Sequence, residues 1–393
     1  VLCRQRKTAA VGHGEQVFEL NDGHIRILIY QVKNIKKKLY PASFFHGPYY
    51  FSYVCAIKPI LLSIMDTVLS GIRPTGRLHL GNYFGALKNF IRMQHDARCF
   101  FFIADYHALT THPDPTHLHD NIRAVLSEYL AAGLDPNVAT IYIQSDVPQV
   151  AELSLLLSMH AYLGELERTA SFKEKARKQP DNVNAGLLCY PVLMAADILL
   201  HRADKVPVGK DQEQHLEITR VLARRFNTLY GVDFFPESQP YNFGSELVKI
   251  PGLDGSGKMG KSEGNCLYLA DTDEAIRKKV MKAVTDAGPT EPDSPLSEPV
   301  RNIFTIMEAV SDPSTVAYFR EQYARCAIRY GDLKKQLAED IIRHIAPIRE
   351  RMQAIAADEN YLHQVVGDGA AAARRSADET LREVRAIMGI KPF

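Results

Sequence analysis

From Thr67 onward, short uninterrupted apolar runs alternate with stretches of helical periodicity, and this constrains the fold more than any other feature. Residues 67–70 read as a strand ending at Gly71, after which Tyr83, Phe84, Leu87, Phe90 and Ile91 fall on one helical stripe. Residues 99–104 are apolar without alternation, as in a strand covered on both faces. Asp114-Pro115 caps and opens a helix that Gly133 closes. Residues 139–144 form a third strand, followed by a helix opened at Pro148. Residues 205–208 form a fourth, with Asp211 opening the next helix. This order predicts an α/β fold: a doubly wound, Rossmann-like parallel sheet with its binding crevice at the carboxyl ends of the strands.

Beyond Asp271 the pattern is helical and contains no convincing strand. Asp271-Thr272-Asp273-Glu274 resembles a capping arrangement, Asp312-Pro313 starts another helix, and a final helix is expected near 378–388. We therefore expect a Rossmann-like domain over 65–270 and an all-helical region over 271–393, its last helix packing back on the first domain. Residues 1–64 differ in character: nine Lys/Arg against three Asp/Glu, and no methionine before Met65. They read either as upstream sequence before a mis-set start or as an appended segment or presequence. The formal net charge of +1 excludes a histone-like polycation but not a local RNA-binding face. Six cysteines without a C-x-x-C pair argue against a structural metal, and unpaired thiols suit the cytoplasm. After residue 65 there is no apolar run long enough to span a membrane.

Two segments suit a nucleoside triphosphate. In Pro74-Thr75-Gly76-Arg77-Leu78-His79-Leu80-Gly81-Asn82, glycines allow close backbone approach at a strand-to-helix turn. The helix N-terminus offers unpaired N–H groups to phosphate. In Gly257-Lys258-Met259-Gly260-Lys261-Ser262, two lysines on a glycine-marked loop could neutralise charge on a leaving group. Either alone reads equally as an ordinary glycine-rich turn or a solvated charged loop; their joint presence favours the nucleotide. A third segment, Tyr190 to Leu199, places Tyr190, Met194 and Asp197 on one helical face. A buried carboxylate there needs a donor, and an indole N–H is a donor-only partner.

The first two segments resemble the HIGH and KMSKS signatures of class I aminoacyl-tRNA synthetases in their tryptophanyl/tyrosyl form. Asn82 stands for the last histidine of the first, and Gly260 for the first serine of the second. The third is similar to the tryptophan-binding helix of tryptophanyl-tRNA synthetases; Met194 stands where tyrosyl enzymes usually carry glutamine. The resemblance implies that ATP is held by Arg73, Pro74, Thr75, His79, Gly81, Asn82, Gly209, Lys210, Asp211, Ile250, Met259 and Gly260. Lys258, Lys261 and Ser262 would act on the triphosphate. It implies that Asp197, Tyr190, Met194, Gln212, His107, Leu69, Val206 and Val208 form the tryptophan pocket. It further implies Mg²⁺ with ATP, no resident metal, tRNA(Trp) as partner, anticodon recognition by the helical region, and a homodimer. A tyrosyl enzyme, a non-catalytic synthetase-like protein and another nucleotidyltransferase are the competing readings.

Overall fold

Strand Thr67–Ile72 lies at the centre of a five-stranded parallel sheet. Its neighbours place the order as Thr140–Ile143, Arg98–Ile103, Thr67–Ile72, Lys205–Val206 and Gln239–Pro240. The order reverses beside Thr67–Ile72, the first strand of this sheet in sequence, which is where doubly wound sheets open their ligand crevice. This computed structural model describes residues 16–19, 26–29, 65–207, 209, 213–241 and 249–391. The Gln239–Pro240 strand went unforeseen because it is two residues long, has no apolar run and contains an edge-type proline. Met65–Phe393 forms one compact unit and Val1–Ile64 another; in the latter, Gln16–Glu19 pairs antiparallel with Arg26–Ile29.

Because the strands are covered on both faces, alternate residues enter different cores. Val68, Phe101 and Ile103 join Leu78, Tyr129, Phe304 and Leu337 in one cluster. Leu69, Phe100 and Phe102 join Leu153, Ala196, Phe226 and Ala373 in the other. Gly71 is required by this packing, since a Cβ there would lie 2.7 Å from the Phe102 ring. Helix Pro115–Ala132 begins and ends as its sequence signals indicate. Asp114 accepts the Thr116 N–H at 2.9 Å, and Gly133 closes the helix at φ 119°.

From Asp273 the described residues form helices and no strand: Asp273–Met281, Glu298–Val310, Pro313–Ala324, Tyr330–Ala357 and Glu359–Ile387. The last is 29 residues long, far longer than residues 378–388. Its middle, residues 367–380, contains no bulky apolar residue, which interrupts its periodicity, and the packing shows why. At Gly369 a Cβ would lie 1.7 Å from the Ile141 carbonyl oxygen, so only glycine lets the helix lie against that strand. Ala370, Ala373 and Ala377 continue the contact, buried in the second core. Gly369→Ala should therefore lower the unfolding free energy by roughly 2 kcal/mol or more, as overpacking against backbone does. Gly367, which has open space around it, serves as the control. Urea denaturation of both variants would show it, and equal effects would contradict this account.

No described helix is long and apolar enough to cross a membrane. The basic cluster on Asp273–Met281 is partly neutralised: Arg277 pairs with Glu339 at 2.7 Å and Lys279 with Asp271 at 2.6 Å. Lys278 and Lys282 are exposed.

Candidate active site

The crevice is built first by the turn that leaves strand Thr67–Ile72. Arg73 and Thr75 are exposed, Pro74 is buried, and Thr75 donates its N–H to the Arg73 carbonyl at 2.8 Å. Gly76 adopts φ 105°, which a side chain would strain. The turn is then fixed to the later loop. Leu80 N–H donates to Leu267 O at 2.9 Å and Leu269 N–H to Leu78 O at 3.0 Å, bridging His79 and Tyr268.

His79 and Asn82 cap the following helix reciprocally. Asn82 N–H donates to His79 Nδ1 at 3.3 Å, and His79 N–H donates to Asn82 Oδ1 at 3.2 Å. Gly81 is obligatory beneath them, because a Cβ would sit 2.9 Å from the His79 ring. The helix passes at once into a π-helical turn, Tyr83–Leu87. Burial, with Lys261 and Lys258 nearby, holds the His79 pKa down to about 4. The imidazole is thus neutral at pH 7, as the Nδ1 acceptor role requires. Between pH 6.5 and about 4 the unfolded chain takes this proton and the folded chain does not. His79 therefore contributes stability that is complete above pH 6.5 and lost as pH falls through that window. His79→Gln should flatten this part of the melting-temperature profile; an unaltered slope would assign the proton elsewhere.

The lysine loop is organised by Asn265, which sequence reasoning missed. Its Nδ2 donates to Asp254 Oδ1, Ser256 Oγ and Lys258 O at 2.9, 3.0 and 3.1 Å, and its Oδ1 accepts Gly260 N–H at 2.9 Å. Met259 N–H donates to Ile250 O at 3.2 Å, and the buried Met259 side chain lies over Gly81. Gly260 is extended (φ −147°), so the backbone does not demand glycine there and only the hydroxyl is lost. Lys258 is exposed, and Ser262 lies in a 3-10 turn over Lys261–Glu263. Lys261 Nζ donates to Gly76 O at 2.9 Å, joining the two signatures across 185 positions of sequence.

The third segment lies on helix Ala185–Leu200, opened by Asn184, which accepts the Leu187 N–H at 2.9 Å. Asp197 is 3% exposed, and protein donors meet its carboxylate. His107 Nε2 lies 2.8 Å from Oδ2, and Gln144 Nε2 donates to Oδ1 at 2.8 Å and to Oδ2 at 3.0 Å. Burial pushes the Asp197 pKa up, opposed by His107 and Gln144. Tyr190 OH hydrogen-bonds His215 Nε2, and Lys175 Nζ sits 3.6 Å above the Tyr190 ring. Burial and the charge of Arg73 lower the Lys175 pKa to about 8, and burial, with a smaller contribution from Arg73, lowers that of Lys261. Arg73 of the turn thus lies within electrostatic range of both Lys175, on the Ala170–Lys178 helix, and Lys261 of the loop, a grouping of positive charge suited to a polyanion.

Met194 is half-buried against the second core, in which Leu69 and Val206 are buried. Gly209 is exposed; Val208, Lys210, Asp211 and Gln212 lie outside the described residues. Gln144 was legible in principle, since it ends a strand on the crevice side. Lys175 carried no such mark among its basic neighbours.

Comparison with known proteins identifies the architecture. The family model described as class I tRNA synthetases (W and Y) matches residues 65–346. The tryptophan–tRNA ligase of Porphyromonas gingivalis is 64% identical over 327 residues, 83% of this chain and 100% of that protein. The chain belongs to the tryptophanyl-tRNA synthetases. Another member, from Fusobacterium nucleatum, is 39% identical over 83% of this chain and 98% of its own. The Campylobacter jejuni tryptophanyl-tRNA synthetase, solved with ADP and tryptophan, superposes with a TM-score of 0.73 at 36% identity. It matches 82% of this chain and 99% of that one. A tyrosyl-tRNA synthetase from Archaeoglobus fulgidus shares the fold, with a TM-score of 0.56 at 20% identity. In this tryptophanyl-tRNA synthetase the lysine loop meets the Gly76 turn, while His107 and Gln144 meet the buried Asp197.

Proposed function

We propose how the residues of this chain carry out tryptophan–tRNA ligation, the activity of its family. L-Tryptophan and ATP, with Mg²⁺ carried on the triphosphate, enter the crevice. The tryptophan carboxylate, already ionised at neutral pH, attacks the α-phosphorus in line and expels pyrophosphate. The 3′ end of tRNA(Trp) then attacks the adenylate carbonyl, giving Trp-tRNA(Trp) and AMP. The turn from Arg73 to Asn82 positions the nucleotide, with the helix N-terminus facing phosphate. Lys258 and Lys261 stabilise charge on the leaving pyrophosphate, and Lys175 is placed to assist. Asp197 accepts the indole N–H, while His107 and Gln144 hold its carboxylate in position. Tyr190 and Gln212 take the substrate amino group, and Met194 offers a soft face to the ring.

The observation that carries this reading is the Lys261–Gly76 hydrogen bond, which brings the two signatures to one mouth. The homodimer is supported by four apolar side chains close in sequence, Leu155, Met159, Tyr162 and Leu163, each at least 58% exposed. Contact of the helical region with the anticodon would use exposed cations such as Lys278 and Lys282. ATP–pyrophosphate exchange on the purified full chain, run with tryptophan and tyrosine in parallel, tests the proposal. Exchange with tryptophan alone is expected. Exchange with tyrosine would overturn the role given to Met194, and exchange with neither would overturn the catalytic reading.

A further inference from the structure

Beneath the Thr75–His79 turn lies a carboxylate that the reaction scheme above does not use. Glu128, on helix Pro115–Ala132, is 0% exposed. Its Oε2 accepts the Leu78 N–H at 2.9 Å, whereas Oε1 has no hydrogen-bond partner among the described residues. Asn121 lies two turns earlier on the same helix and reaches the same turn, its Oδ1 4.0 Å from where a Gly76 Cβ would be. The charged groups acting on Glu128 are Arg77 from the turn and Lys261 from the lysine loop. Lys261 is half-buried and hydrogen-bonded to Gly76 O at 2.9 Å, so Glu128 supplies counter-charge to a lysine held over the same turn.

A buried, half-paired carboxylate is costly unless something offsets its charge. Here the offset is a cation that the triphosphate also demands. We propose that Glu128 is a positioning residue of the nucleotide site, which balances Lys261 before ATP arrives and takes up a proton when the triphosphate claims that lysine. The proton comes from solvent or buffer: an O–H bond forms on the unpartnered Oε1 and one breaks in the donor. Once neutral, Glu128 still accepts the Leu78 N–H, so the turn keeps its shape while the anionic repulsion disappears. Burial already pushes the Glu128 pKa up to about 7, which places the change within the working range of pH.

This rests on the crevice being an ATP site. Isothermal titration of MgATP into the full chain without tryptophan, in buffers of differing ionisation enthalpy at pH 7.5, reads proton uptake directly. The wild-type chain should take up a few tenths of a proton more than Glu128→Gln, which keeps the shape and an acceptor but cannot ionise. Equal uptake by the two would overturn the proposal. Should Glu128→Gln fold poorly, a chain carrying Lys175→Gln, which removes the lysine whose pKa of about 8 falls in the same range, decides. Its Kd for MgATP should weaken by roughly threefold to tenfold from pH 6.5 to 8.5, since a pKa unit of coupling is a factor of ten. A Kd constant over that range would overturn the proposal as well. Failure to bind ATP at any pH would instead remove the reading of the crevice on which the proposal stands.

Discussion

Replacing Lys261 by alanine is expected to slow tryptophan-dependent ATP–pyrophosphate exchange by about 10²–10³-fold, the usual loss when one preorganised group facing developing charge is removed. The tryptophan dissociation constant should change little, because the ammonium bonds Gly76 O and lies with the nucleotide turn rather than with Asp197. Structure around the loop should survive, since Asn265 holds the backbone at Lys258 and Gly260 without help from the lysine side chain. Single-turnover adenylate formation with saturating ATP would separate rate from affinity. An unchanged rate would remove Lys261 from the chemistry. A large rise in the ATP KM at unchanged kcat would limit it to ground-state binding.

The second large effect is expected at Asp197. Asp197→Asn keeps an acceptor oxygen but removes the charge and places an amide N–H₂ among donors from His107 and Gln144. Hydrogen bonds to charged groups contribute about 1.5–3 kcal/mol, so the tryptophan Kd should rise by roughly tenfold to a hundredfold. ATP binding should be little affected. The fold should hold, because the variant also relieves the burial of a carboxylate whose pKa is raised by desolvation. Equilibrium binding of tryptophan with a melting curve for each protein distinguishes the cases. Weakened binding at unchanged melting temperature supports the pocket role. A collapse in stability with normal affinity would make Asp197 a structural hub of the His107–Gln144 cluster instead.

The match between sequence and structure divides along a physical line. Features set by neighbours in the chain were legible. Uninterrupted apolar runs placed four strands to within a residue or two where they are described, and Asp114-Pro115 and Gly133 bounded their helix. Spacing along one helix put Tyr190, Met194 and Asp197 on a common face, and two of the three are buried in the structure. Features that depend on what lies opposite were not legible. The helix Glu359–Ile387 was read as little more than its last third, because its contact with Ile141 needs glycine and alanine, residues without an apolar signal.

The site follows the same rule. The chain by itself specified a parallel sheet with a crevice, two polyanion-suited segments and a helix bearing one costly carboxylate, all read from periodicity, turn chemistry and residue type. Only the tertiary structure decided which groups meet: Lys261 with Gly76, Asn265 with the lysine loop, Gln144 and His107 with Asp197, and Glu128 beneath Leu78. Hydrogen bonds and charges act over a few ångströms regardless of sequence separation. Local pattern can announce that a buried acid needs a partner, but folding alone selects the partner.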